Sequence, residues 1–278
     1  MTALFTGGSG LLGQHVRHLR CNWLYPEQRE FDILNLREMQ DWVQYVTKRW
    51  GVEKPHTIIH AAAMKTSYMV DESPMRAMRV NIVGTTHVVE LAEQLGAKLI
   101  YISTDYVFDG ERGDYLETDP VSPQTKYAWS KLGGECAARM YDRSLIIRTS
   151  FGPTPFPYER AYADQHTSKL PVTEFAARLV RIVEEGQEVY GVLHVGDHAG
   201  RTMWEYAKGV SPHLDVEPVS RLSSNPPAPK DVTLDSSRYE SIFRPKIDKG
   251  RRDYDHRKPG WDLQPEAPSS DRGGSSGE

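Results

Sequence analysis

An α/β protein built on a doubly wound parallel sheet is what this sequence predicts. From Met1 to about Thr149, short apolar runs alternate with longer segments whose apolar residues recur at helical spacing, as βαβ units require. A glycine-rich turn directly follows the first apolar run. Beyond Thr149 the alternation weakens, which predicts a reduced lobe attached to the sheet.

Ala3-Leu4-Phe5-Thr6 reads as the first strand and residues 10–19 as the first helix, with a second strand expected at 21–25. Residues 36–50 place Met39, Trp42, Val43 and Val46 at helical spacing. Residues 57–60 are β-rich, 74–95 read as one long helix, and 98–103 as a strand. Helix at 123–140 and strand at 145–147 complete a nucleotide-binding half over 1–150. Three prolines make 151–158 a loop. Helix at 172–185 and strand at 191–195 return to the sheet, while the rest of 151–245 forms a small substrate lobe. Residues 249–278 are almost without aliphatic side chains, and disorder is expected there.

The chain has 278 residues, is 38% hydrophobic and carries a net charge of −4. No concentrated basic face points to nucleic acid. No stretch approaches the ~20 apolar residues of a membrane span. Two cysteines at unrelated positions, Cys21 and Cys136, argue for a reducing compartment, so a cytoplasmic location is expected. The histidines show no ligand spacing and no Cys-x-x-Cys occurs, so no metal site is expected.

Chemistry is concentrated in three segments. Thr6-Gly7-Gly8-Ser9-Gly10-Leu11-Leu12-Gly13 joins strand to helix, where glycines let a pyrophosphate reach the helix N-terminus; this implies a Rossmann-type dinucleotide site. No acidic residue clearly ends the second strand, which favours NADP(H), with NAD(H) the alternative. Asp32 stands as either a cofactor contact or a helix cap. His60-Ala61-Ala62-Ala63 reads equally as helix–sheet packing and as a backbone edge beside a cofactor.

Ser103-Thr104 ends a strand, and Tyr127 and Lys131 lie four apart on one helical face. Together they suit hydride transfer to a carbonyl carbon, with Tyr127 giving its proton to the developing alkoxide. Thr104 binds the same oxygen, and Lys131 is expected to lower the tyrosine pKa and hold the nicotinamide ribose. Asp105 reads as a substrate contact or a turn former.

The run Ile100-Tyr101-Ile102-Ser103-Thr104-Asp105-Tyr106-Val107-Phe108-Asp109-Gly110 resembles the signature of the dTDP-4-dehydrorhamnose reductase family. That family belongs to the extended short-chain dehydrogenase/reductases. Ala61-Ala62-Ala63, Val80-Asn81-Ile82-Val83-Gly84-Thr85, Tyr115-x-Glu117-x-Asp119 and Arg148-Thr149-Ser150 are similar too. The likeness is good over about 2–150 and looser over about 164–240. It implies an NAD(P)H-dependent reductase of the 4-keto group of a nucleotide-linked 6-deoxysugar, with Thr104, Tyr127 and Lys131 catalytic. Gly7, Gly10, Leu11, Leu12, Gly13, Asp32, Ile33, Ala63, Met64 and Lys65 would line the cofactor, and Thr104, Asp105 and Phe151 would touch the sugar.

Departures fall on the substrate side. The family usually has threonine at Lys65, a Val-Asp pair at Ser67-Tyr68, tryptophan at Phe151, and Gly and Pro-Thr where Thr167 and Lys169-Leu170 stand. A helical segment before Asp164-Gln165 is mostly missing. Two other readings stay open: another nucleotide-sugar reductase or epimerase, and a non-catalytic subunit like the regulatory beta subunit of methionine adenosyltransferase, which contacts a partner enzyme. A homodimer is also open.

Overall fold

The computed structural model describes residues 2–224 and 227–243; the tail expected to be disordered lies outside them. The first half of the chain lays down β1 (Ala3–Thr6), α1 (Leu11–Leu19), α2 (Leu36–Trp50), β2 (Thr57–His60), α3 (Ser67–Glu72), α4 (Pro74–Met78), α5 (Gly84–Leu95), β3 (Lys98–Ile102), α6 (Lys126–Arg139) and β4 (Ser144–Thr149). Then come β5 (Phe151–Gly152), β6 (Arg160–Tyr162), β7 (His166–Thr167), β8 (Leu170–Pro171), α7 (Val172–Glu185), β9 (Gly191–Val195), β10 (Arg201–Thr202), α8 (Met203–Val210), β11 (Glu217–Val219) and α9 (Ser237–Phe243).

β1, β2, β3, β4 and β9 form one parallel sheet in that order. Side chains alternate across its faces, as the two-residue period of a strand requires. Phe5, Ile59, Ile100, Leu145 and Leu193 pack with α1 and α7, including Val16, Phe175 and Leu179. Leu4, Ile58, Leu99 and Ile146 pack on the other face with Met39 and Val43 of α2 and Val88 and Leu91 of α5. Both faces are covered, which explains why the strands read as unbroken apolar runs.

Three sequence expectations change. Residues 21–25 do not form a strand; Leu24 makes a single parallel bridge to Leu4, and the next two residues, Tyr25-Pro26, turn the chain away. Pro26 has no N–H to extend a ladder. At the opposite edge, Arg238 donates to the carbonyls of Val192 and Tyr190 beside β9. The helix expected over 74–95 is interrupted by a π-helical turn at Arg79–Val83. The helix expected from 123 begins at Lys126, because the Thr125 hydroxyl caps it by accepting from Ala128 N. Beyond β4, three two-stranded ladders pair β5 with β8, β6 with β11 and β7 with β10.

A buried ion pair fixes α6 against the sheet. Arg148 of β4 donates to Glu135 of α6 through Nη2 at 2.6 Å and Nε at 3.2 Å, and both side chains are fully buried. Glu135 Oε2 also accepts from Ser103 at the end of β3, at 3.0 Å. Arg148 reaches the Glu117 carbonyl, and Glu117 Oε1 accepts from His194 N. Every partner of the pair is thus an element that shapes the sheet's carboxyl edge. Removing one partner of such a pair leaves an uncompensated buried charge. Glu135→Leu is therefore expected to lower the unfolding free energy by about 3–5 kcal/mol. The double change Glu135→Leu/Arg148→Met should cost clearly less, as urea unfolding of the two variants would show.

Candidate active site

The carboxyl ends of β1–β4 open onto one cavity of about 740 Å³. In open α/β sheets this edge, where successive connections leave in opposite directions, is where ligands bind. Here the chain leaves β1 toward the Leu24 side and returns to β2 on the other.

The turn after β1 is set by steric exclusion. Gly7 has φ +79°, and a Cβ there would lie 2.8 Å from Ala62 N. Gly10 is the N-cap of α1, and no side chain caps that helix terminus, which leaves its first N–H groups free to face an anion. Gly7, Gly8, Gly10, Leu11 and Leu12 line the cavity. Gly13 does not: it stands behind the turn, where a Cβ would come within 2.5 Å of Gly8 Cα, so its role is to let α1 pack on the loop. Asp32 and Ile33 also line the cavity. The helix-cap reading of Asp32 fails, because Asn35 caps α2 while Asp32 accepts from Leu34 N in a local turn.

After β2, the packing reading holds for two of the alanines, and the cavity-lining position that the other reading needs is present. Ala61 packs on one core, Ala62 on the other, and all three alanines line the cavity with Met64 and Lys65. The π-helical turn brings in a residue missing from the candidate set, Asn81. Its Oδ1 accepts from Met64 N at 2.8 Å, while Nδ2 donates to Met64 O and to Ser130 Oγ of α6. Asn81 therefore holds the Met64–Lys65 stretch to the helix that carries Tyr127 and Lys131.

Thr104, Asp105, Tyr127 and Lys131 share the cavity. The Thr104 hydroxyl donates to Asp105 Oδ1 at 3.0 Å. Lys131 is buried with its ammonium 4.2 Å from the centre of the Tyr101 ring. Burial pulls the Lys131 pKa down to about 7, against a smaller upward pull from Glu135. Tyr127 is pushed up to about 12, by burial first and the Asp105 carboxylate second, with a hydrogen bond from Thr104 pulling the other way. The expected depression of Tyr127 by Lys131 does not show in the net shift: desolvation dominates it, and Lys131 is not among its causes. Tyr127 stands as a neutral phenol at pH 7, the form that can donate a proton.

Phe151 lines the cavity and stacks on Phe175, with ring centroids 4.9 Å apart. The small ladders add Gln165, Thr167 and Lys169 to the same wall, and none of the three was a candidate site residue. The available signals were the Asp164-Gln165 landmark of the family and the departures from its pattern at Thr167 and Lys169.

The family model described as RmlD substrate binding domain matches residues 1–152. The chain belongs to the RmlD substrate-binding-domain family. This agrees with the resemblance carried by residues 100–110. Among RmlD-like relatives, methionine adenosyltransferase 2 subunit beta of Xenopus laevis is 36% identical, over 86% of this chain and 82% of its own. dTDP-4-dehydrorhamnose reductase of Mycobacterium tuberculosis is 27% identical, over 82% of each chain. The Bacillus anthracis dTDP-4-dehydrorhamnose reductase solved in complex with NADP superposes with a TM-score of 0.74 at 25% identity, over 86% of this chain and 91% of that one. No helix among the described residues is long and apolar enough to cross a membrane.

One group behind the RmlD-like site titrates in an accessible range. His60, fully buried at the end of β2, faces Thr6 Oγ1 at 2.7 Å and Thr85 Oγ1 at 3.0 Å. Burial, helped by Lys131, lowers its pKa to about 3 from the ordinary 6.5. Between those values the unfolded chain binds a proton that the folded chain refuses, so stability is lost as pH falls. We expect His60 to remove about 1.4 kcal/mol of unfolding free energy per pH unit below 6.5. His60→Gln should flatten that part of the profile in urea titrations at pH 7.5, 6 and 5.

Proposed function

We propose that this protein is an NADP(H)-dependent reductase of the keto group of a nucleotide-linked 4-keto-6-deoxysugar. The observation carrying this reading is that Thr104, Tyr127 and Lys131 line the same cavity as the glycine turn.

The residues present fit a dinucleotide. Gly7 lets the turn lie directly against the Ala62 backbone, and the uncapped start of α1 presents N–H groups to a pyrophosphate. NADP(H) is favoured over NAD(H). The Leu24 segment ends without a carboxylate, and the Arg17 guanidinium donates to Tyr25 O close to Gly8, a charge suited to a 2′-phosphate.

NADPH, when bound, supplies the hydride that reaches the carbonyl carbon. Thr104 donates a hydrogen bond to the carbonyl oxygen, and Tyr127 delivers its proton to that oxygen as negative charge develops. Lys131, buried and one helical turn from Tyr127 on the same face, holds the nicotinamide ribose. Asp105 and Phe151 bound the sugar. Oxidation of NADPH on addition of dTDP-, GDP-, UDP- or CDP-linked 4-keto-6-deoxysugars tests this directly. Tyr127→Phe should lower kcat by about 10²–10⁴ while leaving NADP(H) affinity unchanged; an unchanged rate would sink the assignment.

A second reading is supported by identity alone. The methionine adenosyltransferase 2 beta subunits of Xenopus laevis and Rattus norvegicus share 36% and 34% of residues over 86% of this chain, that of Bos taurus 26%, against 27% for the reductase. On that reading the protein binds NADP(H), turns over no sugar and co-purifies with a partner enzyme. Loss of absorbance with any sugar nucleotide favours the reductase. The UDP-Glc/GlcNAc 4-epimerase of Campylobacter jejuni, at 19% identity, contributes only a shared fold.

A further inference from the structure

Lys131 reaches the cavity without an acceptor to hold its ammonium. Among the described residues, the contact that Nζ makes is with the Tyr101 ring, whose centre lies 4.2 Å away. The other titratable groups around it are already engaged or uncharged. Glu135, one turn further along α6, is held by Arg148 and Ser103. Asp105 Oδ1 accepts from Thr104. His60 on β2 and Tyr127 on α6 are neutral at pH 7.

Tyr101 lies on β3 between Ile100 and Ile102, and the two-residue period turns its side chain to the face that α6 covers. It is 1% exposed and shares a core cluster with Ala138 of α6 and Ile146 of β4. Core packing accounts for a large apolar residue at this position. It does not account for a hydroxyl. The Tyr101 hydroxyl donates to Lys131 O at 3.0 Å, and Gly134 makes room for it, since a Cβ there would lie 2.5 Å from that oxygen. One side chain thus grips Lys131 twice, its carbonyl by the hydroxyl and its ammonium by the ring.

An ammonium within about 6 Å of a ring centre is attracted by the negative face of the aromatic quadrupole, most strongly where water is excluded. That attraction acts on the charged form alone, so it opposes the desolvation that favours the neutral amine. A carboxylate in the same place would occupy the N–H donors. The aromatic face leaves them unengaged by any acceptor and open to the hydroxyls of a ligand. It also orders a flexible stem before the ligand arrives, which removes part of the cost of binding.

We propose that Tyr101 is a positioning residue for Lys131, its hydroxyl fixing the lysine backbone and its ring face holding the ammonium toward the ribose of the bound dinucleotide. This rests on the reading above, in which Lys131 holds the nicotinamide ribose, and it adds the group that aims the lysine.

Two substitutions separate the two contacts. Tyr101→Phe keeps the ring and loses the hydroxyl; Tyr101→Leu loses both. Lys131 ionisation is followed by NMR of the full chain carrying ¹³C at lysine Cε, with the signal assigned from the Lys131→Arg spectrum. In Tyr101→Leu the Lys131 pKa should fall by about one pH unit, and in Tyr101→Phe it should stay within about 0.3 of wild type. Calorimetric NADP⁺ binding should weaken about tenfold in the leucine variant and less than about threefold in the phenylalanine variant. A tyrosine that served packing alone would change stability in these variants without moving the lysine titration. Tyr101→Met replaces the leucine variant if that one does not fold. An unchanged Lys131 pKa in the leucine or methionine variant overturns the proposal, and so does an equal fall in the phenylalanine variant. Absence of NADP⁺ binding by the wild-type protein overturns the dinucleotide reading and the ribose contact with it, while the NMR comparison still decides whether the ring holds the ammonium.

Discussion

The ion pair between Glu135 and Arg148 is the constraint around which the site is assembled. α6 carries both Tyr127 and Lys131, and its register relative to β3 and β4 decides where those side chains emerge. Glu135 sets that register by holding Arg148 of β4 and Ser103 of β3 at once. On the opposite side of the same helix, Asn81 ties Ser130 to the backbone of Met64. The two networks clamp α6 from the sheet and from the π-helical turn. A pair sealed from water is costly to desolvate and strict in geometry, which suits a helix that must not slide.

Desolvation governs the electrostatics of the cavity. Lys131 and His60 fall, Tyr127 and Asp105 rise, and burial is the largest cause in all four. Asp105 reaches about 6 and Lys131 about 7. The environment moves each group toward its uncharged form, and local charges adjust that tendency without reversing it. A phenol kept protonated in this way is ready to act as an acid.

Local signals in the sequence were sufficient for most of the fold and for the residues at the strand ends. Glycine spacing, apolar periodicity and the run from Ile100 to Gly110 each report on neighbours close along the chain. The failures have different causes, some as near as one neighbouring residue and others set by partners distant in sequence. Residues 21–25 have strand composition, yet Pro26 and a single bridge to Leu4 decide their conformation. Asp32 resembles a cap until Asn35 takes that place. Lys169 is an unremarkable lysine until the fold lays it across Gly152 and against Ser150 in the cavity wall. The fall in the Lys131 pKa comes chiefly from complete burial, a property that a four-residue spacing does not contain.

Both margins of the central sheet are partly occupied, by a single bridge beyond β1 and by side chains beyond β9. Beyond β1, the Leu24 bridge occupies the first ladder position and Pro26 offers no further donor. Beyond β9, the Arg238 guanidinium occupies the carbonyls of Val192 and Tyr190. An open margin of parallel sheet is a template for pairing with another chain. The shortened second strand, which looks like a loss, therefore denies incoming strands a docking ladder, and resistance to aggregation is the gain.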